Sequence, residues 1–353
     1  PVNRNGSKLV GANPTGLALS QDGKRLYVTN SGHNEVAVIN AATRKVIGDI
    51  PTGWYPTQVL AHDGKLSITS AKGLGAGPNN GPGHPNPTDP RDTAENQYSG
   101  SMIKGLLSTV SEPDAATLAK LTATVEKNNT ANDPARSSAV PNQIGTTSSK
   151  IKHVIYIVRE NRTFDQELGS NGRGNADPSL NLFGEESAPN TRALARQFTT
   201  FDNFYADAEV SANGWNWVSQ ANSNPWSEEM WPSNYSGRGA PYPAESNDPD
   251  SRAKEHDSYF WEHLSKNNIS FRNYGFYTTL DKKGKAHGVD KKILDPNTDH
   301  DFIGWSLDCP DSARSFAPMA KNCGPKSRVD EWKSDFNKQL AKGSVPTVQL
   351  VRF

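Results

Sequence analysis

The chain predicts a mixed fold: incomplete β-propeller blades at the amino-terminal end, then an α/β domain. Three observations carry this. A proline-led segment beginning at Pro14 returns at Pro56 with Asp-Gly turns between short alternating strands, the pattern of a propeller blade. A Gly-, Pro- and Asn-rich stretch and a polar, Pro-interrupted stretch then separate that region from the carboxyl-terminal two hundred residues or so. From Ile151 onward an apolar strand opens a succession of alternating helix and strand signals, the mark of an α/β sheet with helices on its faces.

In chain order, Asn13-Pro14-Thr15-Gly16-Leu17-Ala18-Leu19-Ser20-Gln21-Asp22-Gly23-Lys24-Arg25-Leu26-Tyr27-Val28-Thr29-Asn30 matches Tyr55-Pro56-Thr57-Gln58-Val59-Leu60-Ala61-His62-Asp63-Gly64-Lys65-Leu66-Ser67-Ile68-Thr69-Ser70. Between the copies, Glu35 to Asn40 and Lys45 to Ile50 supply two more strands, which makes about four per repeat. Tyr27-Val28-Thr29-Asn30 resembles the signature of YVTN-type propeller repeats. A closed propeller takes about four blades or more, so one full repeat, part of a second and a closing strand near 101–110 imply that further blades, or another chain, complete it. Residues 1–112 are therefore assigned to propeller blades. Ala71 to Asn96 is expected to be a long surface loop; its Gly73-Leu74-Gly75-Ala76-Gly77 is a poor phosphate cradle because Pro78 and Pro82 interrupt it. Ser111 to Lys127 reads as a helix with Pro113 in its first turn and Leu118, Leu121 and Val125 at helical spacing. Asn128 to Lys150 reads as a linker, so 113–150 is a helix-and-linker segment and 151–353 the second domain. There, a helix around Tyr259 to Leu264, a strand over Ile269 to Tyr274, a helix carrying Val329, Trp332, Phe336 and Leu340, and a strand over Val345 to Phe353 succeed one another.

Bulk composition excludes some functions. The 353 residues hold 38 basic and 38 acidic side chains, so no general attraction to nucleic acid or an anionic membrane is expected. No apolar window reaches the roughly 18 residues of a spanning helix. Cys309 and Cys323 are the only cysteines and no C-x-x-C pair exists, which disfavours a thiolate zinc site. The pair suits one disulfide in an exported protein, and equally two thiols in a cytosolic one.

Function is concentrated in IKHVIYIVRENRTFDQELG, Ile151 to Gly169. An apolar run expected to be a buried strand delivers Glu160 and Asn161 off its end, where α/β folds hold ligands. Side by side, a carboxylate and an amide can hold a hard divalent cation through oxygen; spacing alone reads the same pair as a turn or helix-start signal. The whole stretch resembles the first motif of the phosphoesterase family that contains bacterial phospholipases C and acid phosphatases, within the alkaline-phosphatase-like superfamily. That resemblance implies Glu160 and Asn161 as ligands of a divalent metal ion. It also points to Ser211, after the aromatic-rich Phe201 to Val210, as nucleophile and third ligand. Implied with it is hydrolysis of a phosphate-ester substrate through a phosphoseryl intermediate, in the periplasm or outside the cell. Relatives commonly carry His four positions after the nucleophile, and here Trp215 stands there, able only to donate one N–H. The resemblance covers the first half of the family core, so the remaining His and acidic ligands are expected beyond Phe353. A catalytically silent binding or assembly protein is the alternative reading.

Other candidates are weaker. Asp295-Pro296-Asn297-Thr298-Asp299-His300-Asp301 begins like a calcium loop but lacks its Gly and its final Glu, which leaves a polar turn as the default. His256 and His263 read as packing or surface residues, and His153 as a strand-boundary residue. Trp215, Trp217, Trp226 and Trp231 either floor a cleft or pack a loop-rich region.

Overall fold

The computed structural model describes residues 12–75, 103–129, 150–221, 223, 225–235, 259–304, 309–311, 323 and 326–353. The chain divides into two compact units, Pro1–Ser148 with Asn224–Gly239, and Ser149–Ser223 with Ala240–Phe353. Sheet and helix are both present, as the mixed class requires. The expected loop beyond Gly75, the linker beyond Asn129 and His256 lie outside the described residues.

In the first unit, β1 (Pro14–Leu19), β2 (Arg25–Asn30), β3 (Glu35–Asn40) and β4 (Lys45–Pro51) form an antiparallel sheet in chain order. A second antiparallel sheet holds β5 (Trp54–His62), β6 (Lys65–Gly73) and β7 (Leu106–Ser111). The repeat places Pro14 and Pro56 in the first strand of each sheet. At the β5–β6 hairpin Asp63 and Gly64 both take positive φ, 48° and 67°, the backbone of a two-residue turn matched to strand twist. Tyr27, Val36, Val38, Ile50, Val59, Leu66 and Ile68 meet in one core, and Leu118 enters it from the helix α1 (Ala115–Asn129).

That helix starts later than the sequence suggests, because β7 stays extended through Ser111 and Asp114 then caps the helix by accepting the Thr117 N–H at 2.7 Å. Nor is it a connector. Leu118, Thr122 and Val125 are buried on one face, and the Thr122 hydroxyl accepts the Asp49 N–H at 2.9 Å. Gly48 permits this approach, since a Cβ there would fall 2.5 Å from Leu118 Cγ. A helix over Pro225–Asn234 also belongs to this unit, where Lys72 Nζ lies 2.6 Å from Glu228 Oε2.

The second unit is built on a parallel sheet ordered β8 (Val154–Val158), β12 (Val348–Arg352), β9 (Phe271–Tyr274). The central strand β12 pairs with both neighbours and is buried along its whole length. Of its helices, α2 (Phe164–Leu168), α3 (Pro189–Gln197) and α4 (Ser211–Gln220) follow β8; α5 (Phe260–Lys266) precedes β9 and α6 (Arg328–Ala341) precedes β12. One core gathers Trp215, Tyr259, Trp261, Leu264, Phe271, Phe276, Tyr277, Val348 and Leu350; Tyr274, Phe302 and Val351 form a smaller one. A short hairpin pairs β10 (Thr278–Leu280) with β11 (Ala286–Gly288). Cys309 and Cys323 are joined in a disulfide.

The apolar run of β8 departs from expectation, because it is not a buried strand: Val154, Ile155 and Ile157 are 46%, 42% and 53% exposed. Among the described residues β8 is an edge strand bonded only to β12, and Tyr156 and Val158 alone turn toward the core. No helix among the described residues is long and apolar enough to cross a membrane.

Candidate active site at the carboxyl ends of the parallel strands

Parallel pairing sets Arg352, the last residue of β12, opposite Val158, the last residue of β8. Glu160 follows two positions later, and the two side chains meet: Arg352 Nη2 donates to Glu160 Oε1 at 3.0 Å. Arg352 is fully buried, and an unpaired guanidinium there would carry a large desolvation cost. A third group closes the cluster. Trp215 Nε1 donates to the same Oε1 at 2.9 Å, and the Arg352 guanidinium lies 4.0 Å from the Trp215 ring centroid. The single N–H that Trp215 can offer is thus spent on Glu160.

Trp215 stands on α4, one turn after Ser211, so both project from neighbouring positions of one helix face. Several contacts fix that helix. Trp215 meets the Phe276 ring edge-on at 5.1 Å, Tyr277 Oη donates to Asn216 Oδ1 at 3.1 Å, and Tyr156 Oη donates to the Val218 carbonyl at 3.3 Å. Burial pushes the Tyr277 hydroxyl well above the usual phenol range, and the Tyr156 hydroxyl upward, so both act here as neutral donors. At the start of α4 the Val210 N–H is taken by Asn213 Oδ1 at 3.3 Å, which leaves half-buried Ser211 as the first helical residue. Ser211 and Glu160 share no direct hydrogen bond among the described residues.

Asn161 is exposed beside Glu160. Two residues on, Thr163 opens α2 with a reciprocal cap: its hydroxyl accepts the Gln166 N–H and Gln166 Oε1 accepts the Thr163 N–H, both at 3.2 Å. The segment therefore is a helix start as well as a strand end. The structure brings Glu160 to the helix that carries Ser211, and adds Arg352, which nothing near Ile151 announces.

The calcium-loop reading of Asp295 to Asp301 is not supported. Its carboxylates split: Asp295 turns toward His287 and His300, Asp301 pairs with Lys285, and buried Asp299 lies 3.7 Å from Arg272 Nη2. Burial raises the Asp299 carboxyl above its usual range. His153 is exposed just before β8, with Nδ1 2.9 Å from the Pro346 carbonyl oxygen, and His263 is exposed on α5. Trp215 and Trp231 are buried in different units.

Neither a family model nor a curated protein matches the chain. Among solved structures it is similar to Kuenenia stuttgartiensis hydrazine synthase at 22% identity, over 19% of this chain and 20% of that one, with a TM-score of 0.17. So small an overlap bears on neither fold nor activity.

Proposed function

We propose that the second unit is an alkaline-phosphatase-like phosphoesterase domain that hydrolyses a phosphate ester through Ser211, with Glu160, Asn161 and Ser211 as ligands of a divalent metal ion. The observation that carries this reading is the Trp215 Nε1–Glu160 Oε1 hydrogen bond, which ties the turn bearing Ser211 to the segment that leaves β8. The donor set is a carboxylate, an amide and a hydroxyl, which suits a hard cation. The Trp215 and Arg352 hydrogen bonds to Glu160 both fall on Oε1, so Oε2 is the oxygen that can face such an ion. When bound, the cation neutralises charge on the phosphoryl oxygens and favours the serine alkoxide.

The chain's own residues account for the rest. Ser211 Oγ forms a bond to phosphorus as the ester P–O bond breaks, the serine proton ending on the departing alcohol, and water then cleaves the Oγ–P bond to release phosphate and return a proton to Oγ. At the first turn of α4, backbone N–H groups without helical acceptors would be donors for a phosphoryl group bound at Ser211. Arg352 is too deeply buried to touch substrate and serves to hold Glu160.

The first unit is proposed to be the end of a YVTN-like propeller, completed by blades elsewhere in the protein or on another chain. The disulfide supports a periplasmic or extracellular location. A second reading, a silent phosphoesterase fold used for binding, is favoured by one observation: Arg352 already neutralises Glu160. Hydrolysis of p-nitrophenyl phosphate, with and without chelator, separates the two. Metal-dependent turnover abolished in Ser211→Ala supports the enzyme. Absence of turnover with magnesium, manganese, calcium or zinc, or an unchanged Ser211→Ala, removes it.

A further inference from the structure

A second group of side chains, on β11 and the turn that follows it, takes no part in the phosphoesterase chemistry proposed above. On β11, His287 directs Nδ1 at Asp295 Oδ1 from 3.3 Å, and His300 directs Nε2 at the same oxygen from 3.6 Å. The imidazole centroids are 4.4 Å apart. Asp295 opens a 3-10 turn, Asp295–Asn297, and its Oδ1 is fixed by the Gly288 N–H at 2.7 Å.

These distances are poor for hydrogen bonds and good for something else. An N–H donor to oxygen is normally about 2.7–3.2 Å away, and only Gly288 meets that. Ligands bound at about 2.0–2.2 Å in a tetrahedral shell stand about 3.3–3.6 Å from one another, which is the spacing of both imidazole nitrogens from Asp295 Oδ1. A second observation is independent of the first. His287 Nε2 faces Asp281 Oδ2 at 3.5 Å, so both ring nitrogens look at carboxylate oxygens. A cation between Nδ1 and Asp295 Oδ1 accounts for both contacts, the ion taking Nδ1 and the Asp281 carboxylate lying behind Nε2. A carboxylate behind a ligating histidine is the usual outer support of such sites.

We propose that His287 Nδ1, Asp295 Oδ1 and His300 Nε2 hold one divalent transition-metal ion of the zinc class, with Asp281 orienting His287. Two imidazoles select against magnesium and calcium, which prefer oxygen. Three protein ligands leave a fourth position, and with His300 45% exposed that position is open to water or a small anion. The ion ties the β10–β11 hairpin to the turn that precedes Thr298, whose hydroxyl accepts Asn273 Nδ2 of β9 at 3.0 Å. A neighbouring group, Asp299, Asp301 and Glu331, does not compete, because Arg272, Lys285 and Lys326 already neutralise it. Lys291 is the basic side chain paired with Asp295, 63% exposed and 3.8 Å from the other carboxylate oxygen, Oδ2.

The test uses the full chain, stripped with chelator and titrated with zinc by calorimetry and with cobalt by visible absorption. Expected is one equivalent of zinc that His300→Ala and His287→Ala each remove, together with the intense tetrahedral cobalt bands. Asp281→Asn should weaken zinc binding about 10–100-fold without removing the site. Glu160→Gln and Ser211→Ala should leave this equivalent in place, which separates it from the ion of the phosphoesterase reading. Far-UV circular dichroism checks that each variant is folded, and the exposed His300 makes His300→Ala the safest. Equal zinc stoichiometry in the parent and both histidine variants, or no zinc uptake by the parent, overturns the proposal.

Discussion

Glu160→Gln is the most informative single change. Glutamine keeps an oxygen that Trp215 and Arg352 can both reach, so packing and hydrogen-bond number are nearly preserved and the negative charge alone is lost. Arg352, whose side chain is 0% exposed, then sits in the interior without that counter-charge. Breaking a buried pair in this way costs about 3–5 kcal/mol. Glu160 is itself 14% exposed, which admits some water to the cluster and favours the lower end, about 3 kcal/mol. In population terms that is roughly a hundredfold shift toward the unfolded chain. Arg352→Met should cost less, because the carboxylate it leaves behind is the partner that water reaches. The double variant should cost less than the sum of the two, since both single changes remove the same Arg352–Glu160 interaction. Urea unfolding followed by tryptophan fluorescence, in chelator-treated buffer, measures all three. A loss below about 1 kcal/mol in Glu160→Gln, or strict additivity in the cycle, would refute the view that this pair organises the carboxyl ends of the sheet.

Three further outcomes are expected. Gly48→Ala should lower the stability of the first unit by about 1–3 kcal/mol, because its methyl group would meet Leu118 and Thr122 of α1; thermal unfolding reads this, and a neutral result would mean the helix does not sit so close. The hydrogen bond to Glu35 raises the His33 pKa above 6.5, so the stability that pair contributes is complete below about pH 6.5 and lost as pH rises through the folded value; a His33 pKa at or below 6.5 by NMR would contradict it. Replacing Cys309 and Cys323 by serine opens a loop spanning a separation of 14 residues and should cost about 3 kcal/mol, checked by urea unfolding with and without reductant.

How much of the fold and the site is legible in the residues depends on the range of the interaction. Local signals read well: the Pro14 and Pro56 repeat locates the first strand of each sheet, and the Asp63-Gly64 pair is the hairpin it spells. The apolar stretch before Glu160 does form a strand. Its exposure is illegible, because centre and edge are set by strand order and not by a strand's own composition. Arg352 is hidden for the same reason, lying 192 residues from its partner. The opposite error also occurs: Thr163 and Gln166 carry the spacing of a reciprocal helix cap in plain view, and the chemistry of Glu160-Asn161 draws the eye past it. His287 has no motif to mark it. Only the fold of the hairpin and the 3-10 turn sets it against Asp295 and His300.

The strand order has a consequence for how the protein is made. β8 and β9 do not touch each other in the sheet; each is bonded to β12, which separates them. A ribosome adding about 5–20 residues per second emits β8 roughly ten to forty seconds before β12. Over that interval Tyr156 and Val158, which turn toward the core in the finished sheet, lack the strand that will lie beside them, and neither flank of the sheet has a template. Closure is then a single late event, in which one inserted strand completes two ladders and delivers the guanidinium that Glu160 has been waiting for.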